Sequence, residues 1–237
     1  MTSSRDKLPA AGKSADVEAF LRKIENLPVR AASGRGRLVF AMDATASREP
    51  SWDRACRIQG EMFEATSALG GIEVQLVFYR GFKECKSSRW LSNAAELHNA
   101  MRAVSCLGGE TQIERVLRHG IKAARAGRLD ALVFVGDAME ENPDILTGLA
   151  GELGLLNVPV FVFHEGQDPT AASCFKEIAR LSHGAYCPFN ASSAEELKAL
   201  LGAVASYAAG GRKALANYGK SAGGPALLLA RRLGGGE

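Results

Sequence analysis

Three oxygen-bearing side chains lie on alternate residues at the end of an apolar segment. The segment RLVFAMD begins at Arg37 and ends at Asp43, and Thr45 and Ser47 follow it directly. A short apolar segment that polar residues close is typical of a β-strand covered on both faces. A carboxylate and two hydroxyls at such a strand end either cap a turn or a helix, or gather around a ligand.

Two further segments place oxygen-bearing side chains at the ends of predicted elements. Thr111 follows a glycine pair in SCLGGETQIERVL, and Asp137 ends the apolar strand of LVFVGDAMEENPD. Strands of a doubly wound sheet share one carboxyl edge, where ligands bind, so we expect Asp43, Thr45, Ser47, Thr111 and Asp137 to converge there. A set of oxygen ligands without histidine or cysteine suits a hard cation such as Mg²⁺ and not zinc. Hydroxyl ligands add no negative charge, so such an ion would stay positive and attract a carboxylate from outside.

Strands alternate with amphipathic helices along most of the chain. This order predicts an α/β fold, a doubly wound and mostly parallel sheet with helices on both faces. The segment GFKECKSSRWL follows a strand closely and predicts one antiparallel edge strand. After the first strand at 37–43, further strands are predicted at 72–79, 81–91, 130–137, 158–166 and 185–189, and helices at 48–71, 94–104, 112–127, 142–157, 170–184 and 193–208.

The remaining segments flank this predicted domain. Residues 1–36 hold a polar start and an amphipathic helix from Ala15 that Pro28 ends, and we expect this helix to dock on the domain. The domain itself is predicted at 37–207. Residues 208–237 are rich in glycine and basic residues and are predicted to form a tail.

Composition limits the classes of function. A net charge of +3 from 29 basic and 26 acidic residues is too small to indicate nucleic acid as the main partner. The five cysteines form no C-x-x-C pair, which is typical of reduced thiols in a cytoplasmic protein. No apolar segment approaches the roughly 18 residues of a membrane span, and no export signal begins the sequence. We therefore expect a cytoplasmic protein without a membrane span.

The three motifs resemble those of the von Willebrand factor A (VWA) family with its metal-ion-dependent adhesion site. That family has a D-x-S-x-S loop after the first strand, a threonine in a glycine-containing loop, and an aspartate after the fourth strand. Here they read Asp43-Ala44-Thr45-Ala46-Ser47, GGET ending at Thr111, and GDA around Asp137. The resemblance extends over roughly 37–207. Thr45 departs from the usual serine, and Gly-Asp-Ala replaces the usual Asp-Gly.

The resemblance implies a role for each of these residues. Thr45 and Ser47 would ligate the ion directly, and Thr111 would do so directly or through water. Asp43 and Asp137 would hold coordinating waters and orient the hydroxyls. The ion would be Mg²⁺, or Mn²⁺ or Ca²⁺ in its place, and an Asp or Glu of a protein partner would complete its coordination. The implied function is metal-dependent protein binding without catalysis.

Other interpretations stay open at this point. Taken singly, Asp43 suits a turn, Thr111 the N-cap of a helix, and Asp137 a cap for the helix near Pro143. Glu140 and Glu141 suit the start of that same helix, or else tune the approach of a partner to the metal.

Two other functional classes compete with a simple adaptor. The chain could be a regulatory subunit of an AAA-type ATPase or chelatase-like complex, or a metal-dependent hydrolase with an unrecognised site. A haloacid-dehalogenase-type phosphatase would need a second Asp as general acid where Thr45 stands, and a hydroxyl cannot fill that role.

Overall fold

The computed structural model describes residues 35–189 and 194–221. The predicted N-terminal helix at 15–28 and the last part of the predicted tail lie outside these residues. Within them, none of the helices has the length and hydropathy that crossing a membrane requires.

Six strands form one sheet in the order β3-β2-β1-β4-β5-β6. All neighbours run parallel except β2 and β3, which pair antiparallel at one edge. The predicted α/β fold with one antiparallel edge strand is therefore confirmed. The strands span Gly36–Asp43 (β1), Ile72–Arg80 (β2), Glu84–Ser87 (β3), Ala131–Gly136 (β4), Val160–Glu165 (β5) and Ala185–Phe189 (β6).

The helices lie on the two faces of this sheet, as the sequence predicts. They are Glu49–Ile58 (α1), Glu61–Glu64 (α2), Ala94–Arg102 (α3), Ile113–Ala126 (α4), Pro143–Leu155 (α5), Pro169–Leu181 (α6) and Ala194–Ser221 (α7). Short 3₁₀ turns cover Ala46–Arg48 and Ser67–Leu69.

Alternate residues of each central strand enter two separate hydrophobic cores. In β1, Leu38, Phe40 and Met42 face the core that α1, α2, α3 and α7 cover. Val39 and Ala41 face the other core, under α4, α5 and α6. Because side chains alternate between the faces of a strand, a central strand buried on both faces reads as one continuous apolar segment.

Two predicted helices differ in extent from the structure. The segment 48–71 is not one helix, since α1 ends at Ile58 and α2 begins only at Glu61, with Gly60 between them. The last helix does not end near Tyr207 but continues to Ser221, with a kink at Gly211, where φ is 65°. Residues 208–221, which the sequence assigns to the tail, are therefore helical on both sides of Gly211.

The order of the strands places the candidate site. After β1 the chain adds β2 and β3 on one side, and it then returns to add β4 on the other side of β1. The carboxyl ends of β1 and β4 thus flank the point where the strand order reverses, which is the usual ligand-binding crevice of such sheets. Asp43 ends β1, and Asp137 follows β4 directly.

Candidate metal centre at the carboxyl edge of the sheet

The D-x-T-x-S segment forms a tight turn at the end of β1. The Asp43 side chain is 1% exposed, and its Oδ1 accepts a hydrogen bond of 2.7 Å from the Thr45 amide. An aspartate whose side chain accepts a hydrogen bond from the amide two residues further on forms an Asx turn. The turn interpretation of Asp43 is therefore correct, and it does not exclude a role in binding a ligand. The same turn places Thr45 Oγ1 and Ser47 Oγ 3.4 Å apart. Thr45 is buried and Ser47 is exposed, so the hydroxyl pair reaches the surface at Ser47.

Thr111 lies just before α4 but does not cap it. The N-cap residue is Gln112, whose side chain makes no capping hydrogen bond. The Thr111 hydroxyl donates instead to Glu141 and accepts a hydrogen bond of 3.0 Å from the Glu140 amide. A hydroxyl oxygen has two lone pairs, so Thr111 keeps one for a further contact. The N-cap interpretation of Thr111 is therefore wrong.

Glu141 supplies the cap that the start of α4 lacks. Its Oε1 accepts hydrogen bonds from the amides of Ile113 and Glu114, the second at 3.2 Å. Glu140 also binds this segment, since its carboxylate accepts a hydrogen bond of 2.8 Å from the Thr111 amide. Of the two interpretations of these acids, the one that places them at the start of the helix near Pro143 is wrong, since the structure joins both to the start of α4.

Asp137 is half-buried beside β5. The cap of α5 is Asn142, whose side chain accepts a hydrogen bond from the Asp144 amide, so Asp137 is not the predicted cap. The Asp137 carbonyl accepts a hydrogen bond of 3.2 Å from Nε2 of the buried His164. Burial lowers the pKa of His164 and favours the neutral ring, whose Nδ1 can then accept from the Tyr186 hydroxyl at 2.9 Å.

The carboxylates of β1 and β4 lie close enough to influence each other. Burial raises the pKa of Asp43, the hydrogen bonds from Thr45 oppose this, and the negative charge of Asp137 raises the pKa further. Burial also raises the pKa of Tyr79 well above its ordinary value, with contributions from the charges of Asp43, Glu141 and Asp137. The charges of three carboxylates therefore act on one buried tyrosine.

Arg48 is the site residue that sequence reasoning missed. It is 2% exposed, and its Nη1 lies 2.5 Å from Glu165 Oε2 and 3.7 Å from Asp137 Oδ2. The Ser51 hydroxyl donates to the same Glu165 carboxylate at 2.5 to 2.7 Å. No periodic pattern marks Arg48 as buried, because it lies in a 3₁₀ turn between β1 and α1. Its position directly after Ser47 is the only signal in the sequence.

The donor set suits a hard cation that hydroxyls help to bind. Within residues 35–189 and 194–221, no group of three or more carboxylate, imidazole or thiol side chains is arranged to hold a metal ion. A cation here would therefore depend on the oxygens of Thr45, Ser47 and Thr111, with Asp43 and Asp137 behind them. This chemistry fits Mg²⁺ better than zinc, and the guanidinium beside Asp137 is an additional positive charge.

Two exposed apolar side chains lie on loops that are hydrogen-bonded to the site. The Leu107 amide donates to the carbonyl of Ala44, inside the D-x-T-x-S turn, at 3.0 Å, and the Leu107 carbonyl accepts from Gly81 at 3.4 Å. The Gln112 side chain donates to the Gly81 carbonyl at 3.2 Å and so holds the β2–β3 turn next to Thr111. Phe82 in this turn is 73% exposed and Leu107 is 46% exposed.

Comparison by sequence identifies no relative of this chain. No family model matches it, and no curated protein does.

Comparison by structure gives matches at low sequence identity. Proximal thread matrix protein 1 from the mussel byssus superposes with a TM-score of 0.58 at 14% identity, over 75% of this chain and 47% of that one. The pilus adhesin SpaC from Lactobacillus rhamnosus GG gives 0.57 at 11% identity, over 80% of this chain and 31% of that one. The VWA domain of SpRpn10 gives 0.55 at 11% identity, over 69% of this chain and 94% of that domain. The fold is von Willebrand A-like.

Coverage limits what these matches show. The chain spans less than half the length of the mussel protein and of the pilus adhesin, whereas it matches nearly the whole SpRpn10 domain. Identities of 11 to 14% concern the VWA-like fold alone. The expected metal ligation by Asp43, Thr45, Ser47, Thr111 and Asp137 stays a prediction.

Proposed function

We propose that this VWA-like domain binds a divalent cation, Mg²⁺ or in its place Mn²⁺ or Ca²⁺, and through it an acidic residue of a protein partner in the cytoplasm. One observation carries the proposal: Asp43 ends β1 and Asp137 follows the adjacent parallel strand β4, close enough for its charge to raise the pKa of Asp43, and the turn after Asp43 brings the hydroxyls of Thr45 and Ser47 within 3.4 Å of each other. This convergence lies where the strand order reverses.

Each residue has a task in this proposal. Thr45 and Ser47 provide hydroxyl oxygens to the ion, and Thr111 provides the remaining lone pair of a hydroxyl that Glu141 already orients. Asp43 and Asp137 act through water and balance part of the charge. When bound, the ion supplies a positive centre for a carboxylate from outside.

The surroundings of the site favour binding a protein over catalysis. Ser47 opens to solvent, and Phe82 and Leu107 are exposed on loops that are hydrogen-bonded to the site. A partner's acidic residue would reach the ion while its apolar neighbours cover these two side chains. The proposal assigns no general acid or base, since Thr45 stands where a phosphatase of the haloacid-dehalogenase type needs one.

The first test measures binding of the cation alone by isothermal titration calorimetry with Mg²⁺ and Mn²⁺. We expect the wild type to bind and Asp43→Ala to lose binding. Glu64→Ala is the matched control, because Glu64 is an exposed carboxylate before the start of β2, at the opposite edge of the sheet. If all three proteins bind the cation, and with equal affinity, the proposed site is contradicted.

The second test identifies proteins that bind this domain through the cation. Wild type and Asp43→Ala are used to capture proteins from the lysate of the source cell, each in Mg²⁺ and in EDTA, and mass spectrometry reads the result. Proteins held only by wild type in Mg²⁺ are the expected outcome, and an AAA-type ATPase among them would make the chain a regulatory subunit. Hydrolysis of a phosphate ester that Asp43→Ala abolishes would instead overturn the non-catalytic assignment.

A further inference from the structure

A buried cation already lies beside the candidate metal centre. The Arg48 guanidinium forms an ion pair with Glu165 at 2.5 Å and lies 3.7 Å from Asp137 through the same nitrogen, Nη1. Its Nε and Nη2 are buried and have no hydrogen-bond partner within the described residues. Arg48 therefore binds carboxylates only, and one of them belongs to the proposed site.

Stability alone explains this arrangement poorly. Removing a guanidinium from water is costly, and a buried ion pair recovers that cost only when its remaining donors are also satisfied. Two of the three guanidinium nitrogens of Arg48 are not. A local violation of this kind, next to a cluster of carboxylates, is typical of a functional site.

We propose that Arg48 is an internal competitor of the divalent cation: its guanidinium, 3.7 Å from Asp137, offsets part of the negative charge of that carboxylate and keeps the affinity for the ion low until a partner supplies a further carboxylate. This inference rests on the proposed function and concerns the regulation of the same site. Arg48 is a positioning residue, since at 2% exposure it cannot reach a partner itself.

The competition arises because the guanidinium and the divalent cation would both be neutralised by the carboxylate of Asp137. Asp137 can neutralise the guanidinium or the ion, and the positive charge of Arg48 also reaches Asp43, whose pKa it lowers. Like charges repel strongly where water is excluded, so a fixed cation makes entry of a second one less favourable. The partner's carboxylate adds a negative charge that offsets the repulsion between Arg48 and the divalent cation.

Glu165 sets the strength of this competition. It binds Arg48 more closely than Asp137 does, and the Ser51 hydroxyl holds its carboxylate in place. Glu165 therefore draws the guanidinium away from Asp137. Without the charge of Glu165, Arg48 would pair with Asp137 alone.

Substitutions at Arg48 and at Glu165 are therefore expected to change the cation affinity in opposite directions. In calorimetry with Mg²⁺ and Mn²⁺, we expect Arg48→Met to bind the ion about tenfold more tightly than wild type, or better still. We expect Glu165→Gln to bind it several-fold more weakly, and Ser51→Ala to shift in the same direction by less. Arg48→Lys keeps the charge and should stay near wild type.

Controls separate this effect from unfolding. Circular dichroism and the melting temperature in EDTA check that each variant folds, because Arg48→Met leaves Glu165 unpaired. The double variant Arg48→Met/Glu165→Gln removes both charges and should still bind the ion more tightly than Glu165→Gln alone. The rise in melting temperature with added Mg²⁺ gives a second readout of affinity.

The outcomes distinguish this inference from the proposed function. If wild type binds, Asp43→Ala does not, and Arg48→Met is no tighter than wild type, the competition is overturned and the metal site stands. If only Arg48→Met binds, the competition is supported, and wild type needs its partner to hold the ion. If neither protein binds, both proposals are overturned.

Discussion

At the scale of single residues, Asp43 meets two opposing demands. Its carboxylate holds the turn at the end of β1 through the Thr45 amide, which favours the ionised form. Burial and the nearby charge of Asp137 disfavour that form and raise the pKa of Asp43. A buried carboxylate whose pKa is raised in this way is typical of a position that serves a ligand as well as the fold.

Asp43→Asn tests this at the level of stability. A raised pKa in the folded state means that the stability of wild type in EDTA falls as pH rises from the ordinary aspartate value through the raised value. Asparagine does not titrate and keeps an oxygen for the Thr45 amide. We therefore expect Asp43→Asn to be more stable than wild type at pH 7, with the difference shrinking toward pH 4.

Urea unfolding at both pH values, in EDTA, gives the two free energies. A difference between variant and wild type that does not change with pH would show that Asp43 ionises as easily in the folded chain as in the unfolded one. Asp144→Asn, at an exposed aspartate, controls for general effects of charge.

At the scale of elements, α4 begins without a cap of its own. A residue 28 positions further along the chain supplies it, since the Glu141 carboxylate accepts from the Ile113 amide. An acid at a helix N-terminus satisfies amides that have no partner in the helix and favours the helix dipole. The same carboxylate holds Thr111, so the start of α4 and the candidate site depend on one side chain.

Glu141→Ala should therefore weaken this helix start. We expect the free energy of unfolding to fall by about 1 to 2 kcal/mol, as for loss of other helix caps. Hydrogen exchange should show faster exchange at the amides of Ile113 and Glu114 in particular. Glu141→Gln keeps an acceptor and should lose less.

Glu110→Ala is the matched control, since Glu110 is an exposed glutamate in the loop that leads into α4. An equal loss of stability in Glu110→Ala and Glu141→Ala would mean that loop charge, and not capping, is responsible.

At the scale of the whole molecule, α7 closes one face of the sheet. The helix turns back at Gly211, so Tyr218 lies against Gly202. The kink divides α7 into a first arm before Gly211 and a second arm after it. Glu61 contacts both arms, through an ion pair with Lys198 at 3.5 Å and a hydrogen bond from the Tyr218 hydroxyl at 3.0 Å. The second arm thus belongs to the packed fold.

Leu215→Ala measures this contribution. Leu215 belongs to the core under α7 and is buried, so its truncation should cost about 2 to 5 kcal/mol of unfolding free energy. Leu155→Ala makes the same chemical change at a leucine that is 86% exposed, and it should stay within about 0.5 kcal/mol of wild type. Chemical denaturation measures both. Equal, small losses would show that the second arm of α7 is not packed in solution.

Much of this fold could be predicted from the sequence because its signals are local. Each parallel strand is a short, mostly apolar segment, the helices show their own periodicity, and their alternation leaves few arrangements of a parallel sheet. Asp43 and Asp137 could be assigned to one edge for the same reason, since both end apolar segments. The length of α7 was underestimated because glycines near Gly211 are typical of a linker, although in the structure one of them makes the kink.

The sequence by itself determined the α/β fold class, the antiparallel edge strand, and the strand ends that carry the candidate ligands. Only the tertiary structure decided which groups surround those ligands. The buried Arg48 lies against Glu165 of β5 and near Asp137, which follows β4. Glu141, in the loop after β4, caps the start of α4. Such contacts join residues far apart in the chain, as Ser51 and Glu165 are at 114 positions. Periodicity and spacing report only on neighbours within one element, so the charge balance of the site depends on the packing of the whole sheet.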